Sequence, residues 1–369
     1  MKDKRRLFVL TEYRSPNSHA LNYPLLINKD FFDEKGISIN FFDSLSKKIG
    51  DCDILFINSK FFKTWHSGRY GQLYDLLSSF RKKTGKILWF DTNDSTGTTQ
   101  FNILPYVDGY YKSQILKDKS LYRRSFYGNR IYTDFYKNKF NITDKGESDA
   151  SGSVSVETPL REEFEYKLGV SWNSALNEWG RYNYIYDEWV GRMRCGLLLK
   201  TDYTVRFADC LSNRSIDING RLGLSHSRDT VRYQRQVISD ILRIEFDVKT
   251  QKVRRSRYLK ELADTKVAVS PFGWGEISCR DFDIIIQGAL LFKQDMSHME
   301  TWPHLYDDGE TYISFSWGLE DLVDKLSCVL RDRARLEYVS KKAQDRYRYY
   351  LYGGGRSEFC ERLLTMIDS

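Results

Sequence analysis

Short apolar runs alternate with amphipathic stretches along the first part of the chain. Residues Tyr70–Arg81 carry leucine and phenylalanine at helical spacing. Apolar runs that predict buried strands are Leu7–Leu10, Ile37–Phe42, Ile54–Ile57, Ile87–Phe90 and Val107–Tyr111. Strands that alternate with helices predict a parallel sheet covered by helices. No Gly-x-Gly-x-x-Gly follows the first strand, so a dinucleotide fingerprint is absent there.

The middle of the chain breaks this pattern. Lys145–Pro159 is rich in Ser, Gly and acidic residues and predicts a surface loop or linker. Residues 160–200 hold Trp172, Trp179 and Trp189 and show no clear period. We assign no secondary structure to them from the sequence.

The α/β alternation resumes at Ile216. Predicted helices are Tyr233–Leu242, Tyr258–Ala263, Phe282–Gln287, a stripe from Leu322 to Leu330, Tyr347–Leu351 and Ser357–Ile367; predicted strands are Val267–Val269, Leu290–Lys293 and Tyr312–Ser314. We expect an α/β protein of two Rossmann-like domains that face a cleft. The first would cover residues 1–200 with the loop 145–159, and the second residues 201–345. Residues 346–369 would return to the first domain.

Composition narrows the functional classes. The chain has 369 residues, is 41% hydrophobic and carries a formal net charge of +7, which suits a globular protein with an anionic ligand. No apolar run is long enough to span a membrane, and the apolar stretch after the basic N-terminus is too short for a signal peptide. We therefore expect a cytoplasmic protein, with peripheral contact with the inner membrane surface as an option. Because Lys and Arg form no dense blocks, we predict no nucleic-acid partner.

The cysteines and histidines predict no metal site. Six cysteines are scattered without a Cys-x-x-Cys pair, and no His or carboxylate cluster has metal-ligand spacing. We therefore predict reduced thiols, metal-independent chemistry and no cofactor.

The segment 267–315 carries the most chemical information. Gly273 and Gly275 allow close backbone approach in a turn that leads into a helix, whose first amide groups favour an anion. Arg280 can make a bidentate phosphate contact, and Asp283 can accept from a ribose diol. Gly288 lets the helix pack close to the next strand. The alternative is a surface ion pair between Arg280 and Asp283 at i,i+3.

This segment resembles the GT-B glycosyltransferases of the group 1 kind, and in particular the branch similar to spore-maturation and exostosin-like transferases. Arg280, Phe282, Asp283 and Gly288 match that branch's Arg-x-Phe-Glu pattern and its following glycine, with Asp in place of Glu. The resemblance implies a nucleotide-sugar donor whose ribose binds Asp283 and whose diphosphate or sugar binds Arg280. Gly275 stands where many members have a first Glu, and Glu276 lies one residue further on, so the stereochemical outcome stays open.

Three further residues are candidates for contact with the donor. His298 and Glu300 lie in the loop DMSHMETWP, where the resemblance places the sugar or the departing phosphate. An equal alternative is that His298 is a loop histidine whose hydrogen bonds are made within the protein. Arg221 follows the first strand of the second domain and is expected to face the cleft. The nearby Arg228, Arg232 and Arg235 share one helical face, which we expect to be solvated.

The first domain offers candidates for a general base. Asp94 and then Asp91 follow the fourth strand, at the sheet edge where open α/β sheets bind ligands. The alternative is that both cap the following turn. His19 is a weaker candidate, and Lys112 is expected to be solvated.

These features predict a metal-independent glycosyltransferase, which moves a sugar from a nucleotide-sugar to a hydroxyl group of a glycan or glycolipid. Bacterial surface polysaccharide synthesis, such as that of lipopolysaccharide, is the expected context. Two alternatives stay open: a nucleotide-sugar epimerase of the same fold, in which Asp94 and His298 act across the cleft, and a non-catalytic carbohydrate-binding partner.

Overall fold

The structure is a computed structural model that describes residues 4–13, 15–46, 49–62, 70–144, 158–177 and 203–369. Most of the expected linker 145–159, together with Trp179 and Trp189, lies outside the described residues. The proposed domain boundary near residue 200 also lies outside them and stays a prediction.

The first half of the chain forms a parallel six-stranded sheet in the order β2-β1-β3-β4-β5-β7. Its elements are β1 Arg5–Leu10, α1 Pro16–Ile27, α2 Lys29–Glu34, β2 Ile37–Phe42, β3 Ile54–Asn58, α3 Tyr70–Arg81, β4 Lys86–Asp91, β5 Gly109–Lys112, β6 Gln114–Leu116, α4 Ile131–Phe140 and β7 Leu168–Val170. Every residue of β3 is buried, as expected for a central strand that is covered on both faces. The five predicted strands and the predicted helix are confirmed.

The second half forms a parallel four-stranded sheet in the order β12-β10-β9-β8. Its elements are β8 Ile216–Asn219, α5 Asp229–Phe246, α6 Arg255–Ala263, β9 Thr265–Val269, α7 Cys279–Ile286, β10 Leu290–Gln294, β11 Met299–Thr301, β12 Ile313–Phe315, α8 Leu322–Arg331, α9 Arg333–Tyr352 and α10 Gly355–Asp368. The predicted fold class, two α/β halves with parallel sheets, is therefore confirmed. No helix among the described residues is long and apolar enough to cross a membrane.

The two halves are joined in several places. Strand β11 of the second half pairs antiparallel with β6 of the first, and one buried apolar core extends from the first sheet to Phe272 and Phe282. Helix α10 returns to the first half, as predicted. There, Phe359 packs edge-on against Phe32 and Trp172.

The return of α10 makes its apolar face important for the stability of the first half. We expect Phe359→Ala to lower the free energy of unfolding by about 3–5 kcal/mol, because a buried phenyl ring is replaced by a cavity. Urea denaturation followed by circular dichroism measures this loss. Thr365→Ala, at an exposed position of the same helix, is the control and should change stability by less than about 0.5 kcal/mol.

Candidate functional site

The glycine-rich turn before α7 docks directly onto the first half. A Cβ atom at Gly275 would lie 1.9 Å from the carbonyl oxygen of Asp94, so only glycine permits this backbone contact. The Tyr132 hydroxyl donates to the carbonyl of Gly273 at 2.8 Å, and Arg130 Nε donates to the carbonyl of Trp274 at 2.6 Å. The turn and the Asp94 loop therefore form one surface.

Glu276 is fully buried and extends from this turn into the first half. Its carboxylate accepts from the Thr96 amide at 3.1 Å, from the Thr96 hydroxyl at 2.6 Å and from the Ser95 hydroxyl at 3.2 Å. Burial alone would raise the pKa of Glu276, but the contact with His298 and the Thr96 hydrogen bonds outweigh it and lower the pKa. Glu276, expected to bind the donor, thus connects the two halves.

His298 lies beside Glu276, in the loop between β10 and β11. Its ring packs edge-on against Trp317, and both ring nitrogens are enclosed without a hydrogen-bond partner among the described residues. The nearest Glu276 oxygen is 3.8 Å from Nε2, which is too long for a hydrogen bond. Glu300 is exposed on β11, opposite Ile115 of β6.

The two candidate bases of the first half differ in access. Asp94 is exposed, and its carboxylate accepts from Asn17 Nδ2 at 2.7 Å. Asp91 is enclosed, and it accepts from the Tyr110 hydroxyl at 2.6 Å and from Lys112 Nζ at 3.2 Å. Asp91 is therefore not accessible to an acceptor in this arrangement, and its assignment as a base stays a prediction. The expectation of a solvated Lys112 is wrong, because its side chain is fully buried in this ion pair.

Two guanidinium groups converge beside the glycine-rich turn. Arg235 donates to the carbonyl groups of Gly223 and Phe272, both at 2.7 Å, and Arg280 donates to the carbonyl of Arg221. Burial, together with the charge of Arg280, lowers the pKa of Arg235 to about 10. Arg235 is only 7% exposed, so the helical face that carries it is not simply solvated, contrary to our expectation.

The other predicted donor-binding side chains have protein partners. Both oxygens of Asp283 accept from Arg255 at 2.9 Å, so the i,i+3 pair with Arg280 is not formed. Burial raises the pKa of Asp283 despite the Arg255 hydrogen bonds. Arg221 donates to Glu261 at 2.8 and 3.0 Å and lines a cavity of about 370 Å³ along the edge strand β8. It is therefore directed to Glu261 rather than into the junction between the halves.

The start of α7, where the sequence suggested an anion site, is capped by the protein's own side chains. Ser278 and Asp281 form a capping box there, and Asp281 also accepts from the buried Lys293 at 3.3 Å. The protein's own carboxylate thus occupies the positive end of the helix. Gly288 ends the helix at a positive φ of 73°, and a Cβ there would lie 2.6 Å from Arg214, so its role is in packing.

Sequence reasoning missed several residues that define the site. Arg255, Tyr258, Ser95 and Thr96 contact the predicted residues but lie in no recognisable motif. The Ser-Thr pair directly after Asp94 was the one local signal, since hydroxyl groups at a strand end suit a carboxylate partner. Among the described residues no group of three or more His, Cys, Asp or Glu could hold a metal ion; metal independence stays a prediction.

No family model matches the chain, and no curated protein matches it. Solved structures of similar fold include an α-glucosyltransferase in complex with UDP and a 13-mer DNA containing an HMU base, at 11% identity and a TM-score of 0.46, covering 99% of this chain and 100% of that one. Anabaena Alr3699/HepE in complex with UDP-glucose is similar at 9% identity and a TM-score of 0.44, covering 98% and 99%. A glycosyltransferase from Rickettsia africae is similar at 7% identity and a TM-score of 0.44, covering 99% and 98%. Membership of the exostosin-like branch is not confirmed.

These comparisons correct one expectation. Four of the similar structures are complexes of an α-glucosyltransferase with DNA, which contradicts our exclusion of nucleic acid as a partner. The exclusion rested on the absence of basic blocks in the sequence. In the structure, basic residues from separate segments come together, since Arg130 and Arg228 both lie within about 6 Å of the Trp274 ring.

The backbone contact at Gly275 predicts a steric test. We expect Gly275→Ala to lower the free energy of unfolding by more than about 2 kcal/mol, because the new methyl group collides with backbone rather than with a flexible side chain. Thermal and urea denaturation measure the effect. Gly71→Ala, with open space around it in α3, is the control and should be neutral or slightly stabilising. Equal stability of both variants would contradict the contact.

The lowered pKa of Glu276 predicts a pH-dependent loss. We expect Glu276→Gln to cost about 1–3 kcal/mol at pH 7, because the ionised carboxylate accepts stronger hydrogen bonds than an amide oxygen. The ordinary pKa is 4.5 and the folded value lies below it. The contribution is therefore complete above pH 4.5 and is lost as the pH falls through the folded pKa.

Urea titrations of both proteins from pH 7 to pH 3 measure this difference. It should shrink in the acidic part of the range, and a difference that is constant with pH would refute the assignment. Glu245→Gln, at an exposed position of α5, should change stability little at any pH.

Proposed function

We propose that this protein transfers a sugar from a nucleotide-sugar to an acceptor hydroxyl group. The main support for this proposal is the pair of neighbouring arginines Arg235 and Arg280. These groups lie close enough for the charge of one to lower the pKa of the other, yet among the described residues neither has a carboxylate within ion-pair distance. Each donates to carbonyl oxygens instead. Two adjacent uncompensated cations favour a bound anion with more than one negative charge.

Their location supports a nucleotide diphosphate as that anion. Both groups lie beside the turn that follows β9, at the carboxyl end of the second sheet, where open α/β sheets bind ligands. A guanidinium group matches phosphate geometry with parallel hydrogen bonds. As the diphosphate departs from the sugar it gains charge, so cations held in advance lower the barrier to that step.

Asp94 is the group that supports transfer to an acceptor. It is exposed on the loop that contacts the glycine-rich turn, so an acceptor hydroxyl can approach it. In an inverting reaction, Asp94 takes the hydroxyl proton, the acceptor oxygen bonds to the anomeric carbon, and the bond from that carbon to the diphosphate oxygen breaks with both electrons leaving on the diphosphate.

Asp283 supports the binding of the nucleoside. Arg255 fixes the orientation of its carboxylate with two bonds at 2.9 Å, and a fixed carboxylate can accept from the two hydroxyl groups of a ribose. For the acceptor we propose a hydroxyl group of a glycan or glycolipid, in bacterial surface polysaccharide synthesis. The cations of the site replace a metal ion in this proposal.

Nucleotide binding tests the donor site. We expect one nucleotide class among UDP-, GDP-, dTDP-, ADP- and CMP-linked sugars to raise the melting temperature, with about 2.7 kcal/mol of stabilisation at 100 times the dissociation constant. Arg280→Ala should weaken this binding at least about 10-fold, because a charge-assisted hydrogen bond is lost. Asp283→Ala should weaken it as well. Arg243→Ala, an exposed arginine of α5, is the control and should bind as wild type does.

Product analysis then separates the possible reactions. The selected nucleotide-sugar is incubated with glycans, with glycolipids, with DNA and without acceptor. A new glycosidic product supports the proposal and identifies the acceptor class, whereas an isomerised sugar without acceptor would make the protein an epimerase. Binding without turnover on any acceptor or on water would make it a carbohydrate-binding partner. No melting shift with any nucleotide would overturn the donor site itself.

A further inference from the structure

Tyr258 has a buried hydroxyl group that finds no partner in the part of the chain that the structure describes. Its phenol oxygen is enclosed and makes no hydrogen bond among the described residues. Other buried tyrosines near the junction are satisfied: Tyr132 donates to the carbonyl of Gly273, Tyr136 to that of Trp317, and Tyr306 to Asp281. Because buried polar groups are nearly always paired, an unpaired one at this place calls for a functional explanation.

The position of Tyr258 relates it to the proposed donor site. It lies near the start of α6, the helix that leads back into β9, so this end of α6 is at the carboxyl edge of the second sheet. The start of α7 follows β9 at the same edge. The guanidinium group of Arg280 lies 5.2 Å above the ring of Tyr258, and Arg255, one turn earlier in α6, holds Asp283. Tyr258 therefore lies close to both the proposed diphosphate contact and the proposed ribose contact.

The chemistry of the group fits a donor of a hydrogen bond. Burial raises the pKa of Tyr258 far above neutrality, so the phenol keeps its proton at physiological pH. Asp283 and Arg280 each have protein partners, whereas the Tyr258 hydroxyl has none among the described residues, and a ligand oxygen can supply one. The ribose and phosphate oxygens of a nucleoside diphosphate are acceptors of this kind.

We propose that Tyr258 is a donor-binding residue, whose hydroxyl group donates a hydrogen bond to an oxygen at the junction of ribose and diphosphate. This rests on the proposed function, because it needs a nucleotide at Arg235 and Arg280. It also assigns Tyr258 a specific energetic role: its hydroxyl is unsatisfied until the nucleotide binds and satisfied afterwards.

This role predicts effects of opposite sign in Tyr258→Phe. Without nucleotide, the variant should melt at the same or a higher temperature than wild type, since an unpaired buried polar group has been removed. With the nucleoside diphosphate selected from UDP, GDP, dTDP and ADP, the melting shift should be smaller than in wild type. The dissociation constant should rise by about 5- to 20-fold, since one hydrogen bond to the ligand is lost. In turnover assays the KM for the donor should rise and kcat should change little.

Tyr306→Phe is the matched control. Its hydroxyl is paired with Asp281 at 2.9 Å, so removal should lower the melting temperature without nucleotide. Its relative effect on nucleotide binding should be smaller than that of Tyr258→Phe.

The outcomes distinguish the two proposals. If wild type binds a nucleotide and Tyr258→Phe binds it equally well, the role of Tyr258 is refuted and the proposed function stands. If Tyr258→Phe melts lower and keeps its affinity, the hydroxyl is structural and the role is also refuted. If wild type binds no nucleoside diphosphate, both proposals are overturned.

Discussion

The geometry of the site depends on the burial of the Glu276 carboxylate between the two halves of the chain. A charged group that leaves water must have its hydrogen bonds supplied by the protein. Ser95 and Thr96 supply them, and this fixes the loop that carries Asp94 against the turn that carries Gly275. These contacts consequently hold the exposed carboxylate of Asp94 in a fixed position relative to the cations beside the turn. The two groups belong to different halves of the chain.

The distribution of charge around this junction separates residues that hold the fold from residues that can bind. Near the carboxyl edge of each sheet a lysine is buried against an aspartate: Lys112 against Asp91, and Lys293 against Asp281. Such pairs are costly to break, because either partner alone would be an uncompensated buried charge. Arg235 and Arg280 are different, since their hydrogen bonds go to neutral carbonyl oxygens and neither has a carboxylate of the described residues within ion-pair distance. The site therefore combines a rigid frame of compensated charges with a small region of uncompensated positive charge.

The sequence predicted the elements well wherever periodicity was strong, as in β2 and α3, whose bounds match those expected. Helix α1 was missed because Pro24 and several polar residues obscure its period, although nine of its twelve residues are buried. The sequence also indicated the glycine-rich turn and the helix that carries Arg280 and Asp283, both of which the structure contains. Their partners could not be predicted, since Arg255 lies 28 positions from Asp283 and Thr96 lies 180 from Glu276. Tertiary contacts of that separation leave no local signal.

Because tertiary partners cannot be read from the sequence, residue types alone led us to expect too many chemically active groups. Asp91, Asp94, Lys112 and Arg221 all follow strands, where a ligand-binding role is a reasonable expectation. In the folded chain three of them are saturated: Asp91 and Lys112 by each other, and Arg221 by Glu261. Position at a strand end is therefore not sufficient to mark a group for function, and incomplete hydrogen bonding is a second criterion. By that criterion Arg235, Arg280 and the Tyr258 hydroxyl are candidates for the proposed donor site, and the His298 ring nitrogens, beside Glu276, are a separate candidate. Each has bonding capacity that the described protein leaves unused, and a nucleotide-sugar carries the anionic and hydroxyl oxygens to use it.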